Sequence, residues 1–228
     1  MTRGPLLDDE ALHASSVVAN NAMNRERQLT GVNSYARELG FDPVDWLTER
    51  LASADRVAWL DLCCGTGRAL IQAADRLRRT GLADRVRLVG VDLVDFFDPA
   101  AASPELVCAP VTAWTPDQPY ELITCVHGLH YVGDKLGVLA RAAGWLTDDG
   151  MLVADLDLAS VRLAGGIPAG RPLASALRGA GLGYDSRRRQ VRCAGRREVT
   201  LPYTYRGADD RAGPNYTGQP AVDSIYDR

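Results

Sequence analysis

Eleven residues constrain this chain more than any others: Val57-Ala-Trp-Leu-Asp-Leu-Cys-Cys-Gly-Thr-Gly67. The apolar run reads as a buried strand, and the glycines that end it let the backbone turn sharply into a helix over Ala69–Arg79. A strand that stops in a Gly-rich turn and continues as a helix presents backbone N–H groups at the helix start, where a ligand is met without a Cβ in the way. Such a turn also favours an α/β architecture, because the helix has to pack back on a sheet.

The alternation continues downstream. Short apolar runs at Val86–Val91, Leu106–Cys108, Leu122–Val126 and Met151–Leu156 are separated by helical stretches, a short one around Phe96–Ala102 and Lys135–Leu146 among them. This spacing predicts βαβ units and a parallel sheet, and uninterrupted Val/Ile/Leu runs predict strands covered on both faces. The expected fold is therefore α/β: a Rossmann-like, doubly wound, seven-stranded sheet, mostly parallel. After a helix at Pro172–Gly181, a C-terminal antiparallel hairpin of Gln190–Ala194 and Glu198–Tyr205 is expected to close the sheet edge across Gly195-Arg196-Arg197.

Ahead of the sheet, Asp8–Asn24 carries an Ala/Val/Leu stripe, and Asp42-Pro43 followed by Trp46, Leu47 and Leu51 reads as an N-cap, a first-turn proline and an inward apolar face. The chain divides into a helical N-terminal cap (1–55), a core (56–206) and a tail (207–228) rich in Gly, Pro, Asp and Tyr. Two readings of the tail stay open. It frays, as chain ends do, or it folds back over the site and buries Tyr216 and Tyr226.

At 228 residues, 46% apolar and 24% charged, the chain is large enough to bury a core. Its net charge of −3 argues against a dedicated nucleic-acid binder. No run approaches the roughly 18 apolar residues of a membrane span. The N-terminus, with Arg3 and then Asp8, Asp9 and Glu10, has no apolar segment of a signal peptide, so a cytoplasmic location is expected. Five cysteines without a CxxC indicate neither a disulfide framework nor zinc, and no metal is expected.

Gly65 and Gly67 do not by themselves choose the ligand. A dinucleotide fingerprint spaced from Gly65 needs glycine at position 70, which is Leu70, so a pyrophosphate loses support. Asp92 ends the second strand 25 positions after Gly67. A carboxylate there accepts both hydroxyls of a ribose, one on each oxygen.

These segments closely resemble class I S-adenosylmethionine (SAM)-dependent methyltransferases, whose first motif is a hydrophobic strand, an acid and then G-x-G-x-G. Here the acid is Asp61 and the glycine positions are Cys63, Gly65 and Gly67, with Cys63 the departure. The resemblance runs through most of Val57–Ser160. Tyr120-Glu-Leu-Ile-Thr-Cys-Val-His-Gly-Leu-His-Tyr131 looks like the family's fourth strand and following loop, and Asp148–Asp155 like the turn into the fifth. It implies SAM as cofactor and S-adenosylhomocysteine as product, held by those loop residues, by Asp92 and Leu93, and by Cys125.

The acid that many members place beside the adenine falls at Ala109, which leaves Pro110 and Val111 to hold the ring by backbone and apolar contacts. In small-molecule members, helices before the first strand fold over the cofactor. That makes Arg25 and Tyr35 candidates for the methionine carboxylate, and Asn24, Asn33 and Tyr131 for the acceptor pocket.

Methyl transfer is an in-line displacement that loses charge as it proceeds, so positioning and exclusion of water matter most. A general base helps when the acceptor is protonated at neutral pH. His127 and His130 lie after the fourth strand, at the edge where such folds bind ligands, and are the candidate bases; packing against the loop or cofactor explains them as well. His13 reads as surface. The arginines at 187–189, 192, 196 and 197 read first as a charged sheet edge, with an anionic partner the alternative. The expected activity is transfer of a methyl group to O or N of a small molecule such as a secondary metabolite. Expected partners are that acceptor and a second copy in a homodimer, with no membrane and no nucleic acid. The alternatives are a SAM-binding protein without methyl transfer (a binding module, lyase or cyclase) and an NAD-dependent oxidoreductase.

Overall fold

The computed structural model describes residues 5–19, 26–100 and 103–228. The cap holds α1 (Asp9–His13), α2 (Ser16–Ala19), α3 (Tyr35–Leu39) and α4 (Pro43–Arg50). Asp42 caps α4 by accepting from the N–H groups of Val44 and Asp45, with Pro43 in the first turn. The core then runs β1 (Val57–Leu62), α5 (Arg68–Arg79), β2 (Val86–Asp92), β3 (Glu105–Cys108), β4 (Tyr120–Cys125), α6 (Lys135–Gly144) and β5 (Leu146–Asp155). It continues with β6 (Val161–Leu163), α7 (Gly170–Gly179), β7 (Gly183–Asp185), β8 (Gln190–Ala194), β9 (Thr204–Asp209) and β10 (Asp223–Asp227).

The main sheet has seven strands in the order β3-β2-β1-β4-β5-β8-β7. The first five strands of the chain are mutually parallel, and β8 runs antiparallel to both β5 and β7. Side chains alternate across it. Val57 and Trp59 of β1 join a core with α4 and α5, whereas Ala58, Leu60 and Leu62 join a second core with α6 and α7. The chain winds outward from β1 to β3 and then crosses back to β4. That reversal opens a crevice beyond the carboxyl ends of β1 and β4, where ligands of open α/β sheets bind.

Three expectations are corrected. The hairpin partner of Gln190–Ala194 is β7, not Glu198–Tyr205. Backbone bonds from Gly195 to Gly150, Arg196 to Thr147 and Arg197 to Ala143 carry the chain onward past β5, so it does not reverse, and Pro202 lacks the N–H that a ladder needs. The segment Phe96–Ala100 is not helical, since Pro99 biases Asp98 away from helical backbone, and positions 101 and 102 lie outside the described residues. The helical stretch expected over Asp8–Asn24 is, among the described residues, two short helices, α1 and α2, broken at Ala14-Ser15, and positions 20–24 lie outside the described residues.

The tail folds back. β10 is the central strand of a second sheet, parallel to β6 and antiparallel to β9. Lys135, the chain's single lysine, is fully buried and pins it, donating to Val132 O at 3.1 Å, Val222 O at 2.7 Å and Ser224 Oγ at 2.7 Å. The arginine cluster is not one patch. Arg192 donates to Leu39 O at the end of α3, Arg188 packs against Gly40, and Arg189 lies 3.9 Å over the Tyr216 ring.

Candidate active site

The crevice is a half-open cleft beyond the carboxyl ends of β1 and β4. Its floor is the turn after β1. Cys63, Gly65 and Gly67 have φ of 58°, 62° and 74°, the left-handed region. Glycine reaches it freely, whereas Cys63 does so at a cost of about 1–2 kcal/mol. Two contacts hold the turn: Gly65 N–H donates to Asp92 Oδ2 at 2.9 Å, and the Cys63 side chain fills the space that a Cβ on Gly128 would need, 2.3 Å away. Among the described residues no side chain caps the start of α5, which leaves its first N–H groups for a ligand.

Beneath the floor lies a closed polar chain. Trp59 Nε1 donates to Thr124 Oγ1 at 2.8 Å, Thr124 donates to Asp61 Oδ1 at 2.6 Å, and Tyr35 donates to Asp61 Oδ2 at 2.7 Å. Burial pushes the Asp61 carboxyl up to about 7, against the pull of those two hydrogen bonds.

The sequence-predicted residues divide by position. Cys63, Gly65, Asp92 and Leu93 line the cleft, as do Pro110 and Val111 on one wall and His127 and Tyr131 on the other. Asp61 and Tyr35 are buried below the floor, Gly67 packs on Leu106, and Cys125 lies under the Cys63–Gly128 contact. Tyr35 therefore reaches no carboxylate but that of Asp61. Asn33 is exposed and accepts from Arg27 at 2.6 Å, away from the cleft. Asn24 and Arg25 lie outside the described residues.

The histidines take unequal places. His127 adopts φ 59° at the end of β4, and its N–H donates to Asp155 Oδ2 at 3.0 Å. Its Nδ1 faces His130 Nε2 at 3.4 Å. Its Nε2 lies 3.5 Å from Glu38 Oε2 and 3.9 Å from Asp155 Oδ2. His130 sits behind it, fully buried, and burial together with nearby His127 and Lys135 pushes its basicity down to about 3. It is neutral at physiological pH.

Sequence reasoning missed several groups. His13 is half-buried and lines the cleft with Val18, because the cap folds over the crevice and does not leave its polar residues on the surface. Glu38, Asp155 and Tyr216 surround His127. Asp155 had a signal, an acid ending the fifth strand at the ligand-binding edge. Glu38, on a five-residue helix, had none. Gln190 gathers this side of the site by donating to Glu38 O at 2.7 Å and Asp155 Oδ1 at 3.1 Å.

Comparison with known proteins gives the chain its relatives. Residues 33–203 match the family model for a methyltransferase domain. No curated protein matches the chain by sequence. Among solved structures, it is similar to the plantazolicin methyltransferase BpumL in complex with a pentazolic desmethylPZN analog and SAH, at 15% identity and a TM-score of 0.40, covering 64% of this chain and 51% of that one. It is similar to magnesium protoporphyrin IX methyltransferase (ChlM) from Synechocystis PCC 6803 with bound SAM, at 14% identity and a TM-score of 0.45, over 68% and 78% of the two chains. It is also similar to the [4+2]-cyclase SpnF, at 19% identity and a TM-score of 0.42, over 69% and 61%. The chain spans about half the length of BpumL.

Proposed function

The chain belongs to the methyltransferase-domain family, and we propose that it transfers a methyl group from SAM to an oxygen or nitrogen of a small molecule, a secondary metabolite by class. The observation that carries this reading is the turn after β1, clamped to Asp92 and opening on the uncapped start of α5. Bound there, SAM supplies an electrophilic methyl on a sulfonium.

The residues of this chain bind and orient. Asp92 accepts from Gly65 and Val94 N–H, and a carboxylate at that strand end is an acceptor suited to the hydroxyls of a ribose. Pro110, Val111 and Leu93 offer apolar surface for an adenine, and the first N–H groups of α5 favour a carboxylate. Leu70 packs into the space left by the missing side chain of Gly90, so helix and sheet approach there through Gly90 and no third glycine is needed at position 70. Residues 1–55 serve as the cap that excludes water, with His13 and Val18 facing the cleft.

The acceptor's hydroxyl or amine is activated at His127, with His130 behind it as a positioning residue. The test is a methyl-transfer assay with small-molecule acceptors. His127→Ala lowers kcat at least about tenfold while SAM affinity stays within about twofold. Equal turnover in the variant removes His127 from the reaction, and SAM binding without any methylated product points to the non-transferring alternative.

A further inference from the structure

We propose that Glu38, His127 and Asp155 form a binding site for one divalent first-row metal ion, Mn²⁺ or Zn²⁺ by ligand type. Glu38 Oε2, His127 Nε2 and Asp155 Oδ2 lie within 4.8 Å of one another, the only such grouping of three among the described residues. A cation with ligand bonds of about 2.0–2.2 Å holds neighbouring donors roughly 3.0–3.5 Å apart. The His127–Glu38 spacing of 3.5 Å already meets that, and the His127–Asp155 spacing of 3.9 Å closes with a shift of a few tenths of an ångström.

The independent observation is His127 Nε2. Its side chain is 4% exposed, and the nitrogen points at both carboxylates yet makes no hydrogen bond. A buried imidazole nitrogen aimed at two carboxylates, 3.5 and 3.9 Å away and with a well-formed hydrogen bond to neither, has the geometry of a ligand, since a metal between them satisfies all three at once. One imidazole with two carboxylates is a borderline donor set that suits Mn²⁺ or Zn²⁺ and leaves coordination positions open.

The surroundings are built as metal sites are. Each ligand is held from behind: Arg27 donates to Glu38 Oε1 at 3.1 Å, Gln190 to Asp155 Oδ1 at 3.1 Å, and His130 Nε2 faces His127 Nδ1 at 3.4 Å. Asp155 Oδ2 also accepts the His127 N–H, which fixes the left-handed backbone that aims the ring. The Tyr216 ring, 6.3 Å from the His127 ring, covers the group. The proposal rests on the methyl-transfer reading only for its consequence: with His127 Nε2 taken up as a ligand and no longer a free base, an ion here would hold an acceptor oxygen and promote loss of its proton to water.

The test is Mn²⁺ titration of the chelator-treated full chain, followed by loss of the free-ion EPR signal, with Zn²⁺ competition and with SAM affinity measured alongside. One ion per chain is expected, displaced by Zn²⁺. Glu38→Gln and His127→Ala are each expected to weaken binding at least about tenfold with SAM affinity within about twofold, and Glu38→Gln, which keeps the side chain's shape, with the melting temperature unchanged. Gln190→Leu, which leaves the three ligands in place and removes the hydrogen bonds to Glu38 O and Asp155 Oδ1, is expected to weaken it by about tenfold. No stoichiometric binding, or binding equally tight in Glu38→Gln and His127→Ala, overturns the proposal. Because SAM affinity is read separately, that failure is distinct from failure of the methyltransferase reading.

Discussion

At the scale of single residues, the site depends on groups whose burial conflicts with their charge. Asp61 has lost its water and has only the hydroxyls of Thr124 and Tyr35 in exchange. Its carboxyl is pushed from 3.8 up to about 7. Between those values the folded chain holds a proton that the unfolded chain has released. The Asp61 contribution to stability is thus complete below about pH 4 and is lost as pH rises through about 7. We expect the stability difference between the wild type and Asp61→Asn to fall across that window, by no more than about 4 kcal/mol; denaturant titrations at pH 4 and pH 8 check it, and equal differences contradict it. Asp92, Cys63 and the glycines were legible in the sequence because the identity of a turn residue is dictated by local backbone. Glu38 and Tyr216 were not, because nothing local marks a side chain that meets His127 across a long stretch of chain.

At the scale of elements, β1, its turn and α5 act as one unit. Gly67 has φ 74°, and a Cβ there would stand 2.8 Å from Leu106 Cδ2 of β3. Gly67→Ala is expected to cost more than about 1 kcal/mol of stability and to weaken SAM binding, because the turn has to move off β3. Thermal unfolding and calorimetry measure the two effects; a variant unchanged in both refutes the role of that close approach. The parallel strands were readable because a strand buried on both faces is a continuous apolar run. The partner of β8 was not. Gln190–Ala194 has a strand-like segment on either side, and the choice between them rests on the bonds that Gly195, Arg196 and Arg197 make to Gly150, Thr147 and Ala143, far away in the chain.

At the scale of the whole molecule, the cap and the tail meet beside the cleft: Glu38 and Tyr216 both stand against His127, and Leu7 pairs with Ala208. The cap places His13 and Val18 over the cleft, and β10 reaches back to the start of α6 through Lys135. Burial pushes the Lys135 ammonium from 10.5 down to about 7, so between those values the unfolded chain binds the extra proton. Stability from this group therefore rises with pH above about 7, and Lys135→Met is expected to flatten that rise. Unfolding free energies at pH 7 and pH 9 for both proteins decide it, and parallel slopes contradict it. The tail's buried tyrosine was visible in the sequence. Its pairing with β6 and β9 was not, since no periodicity marks Gly207–Arg228 and the partners are chosen by the fold.

The central claim is that the turn after β1 and Asp92 hold SAM. Titration calorimetry of the full chain with SAM, S-adenosylhomocysteine and NAD tests it most directly. We predict one site for each sulfur compound, no response to NAD, and a loss of about 1–3 kcal/mol of SAM binding in Asp92→Ala. Binding of NAD alone, or SAM affinity unchanged in Asp92→Ala, would contradict it.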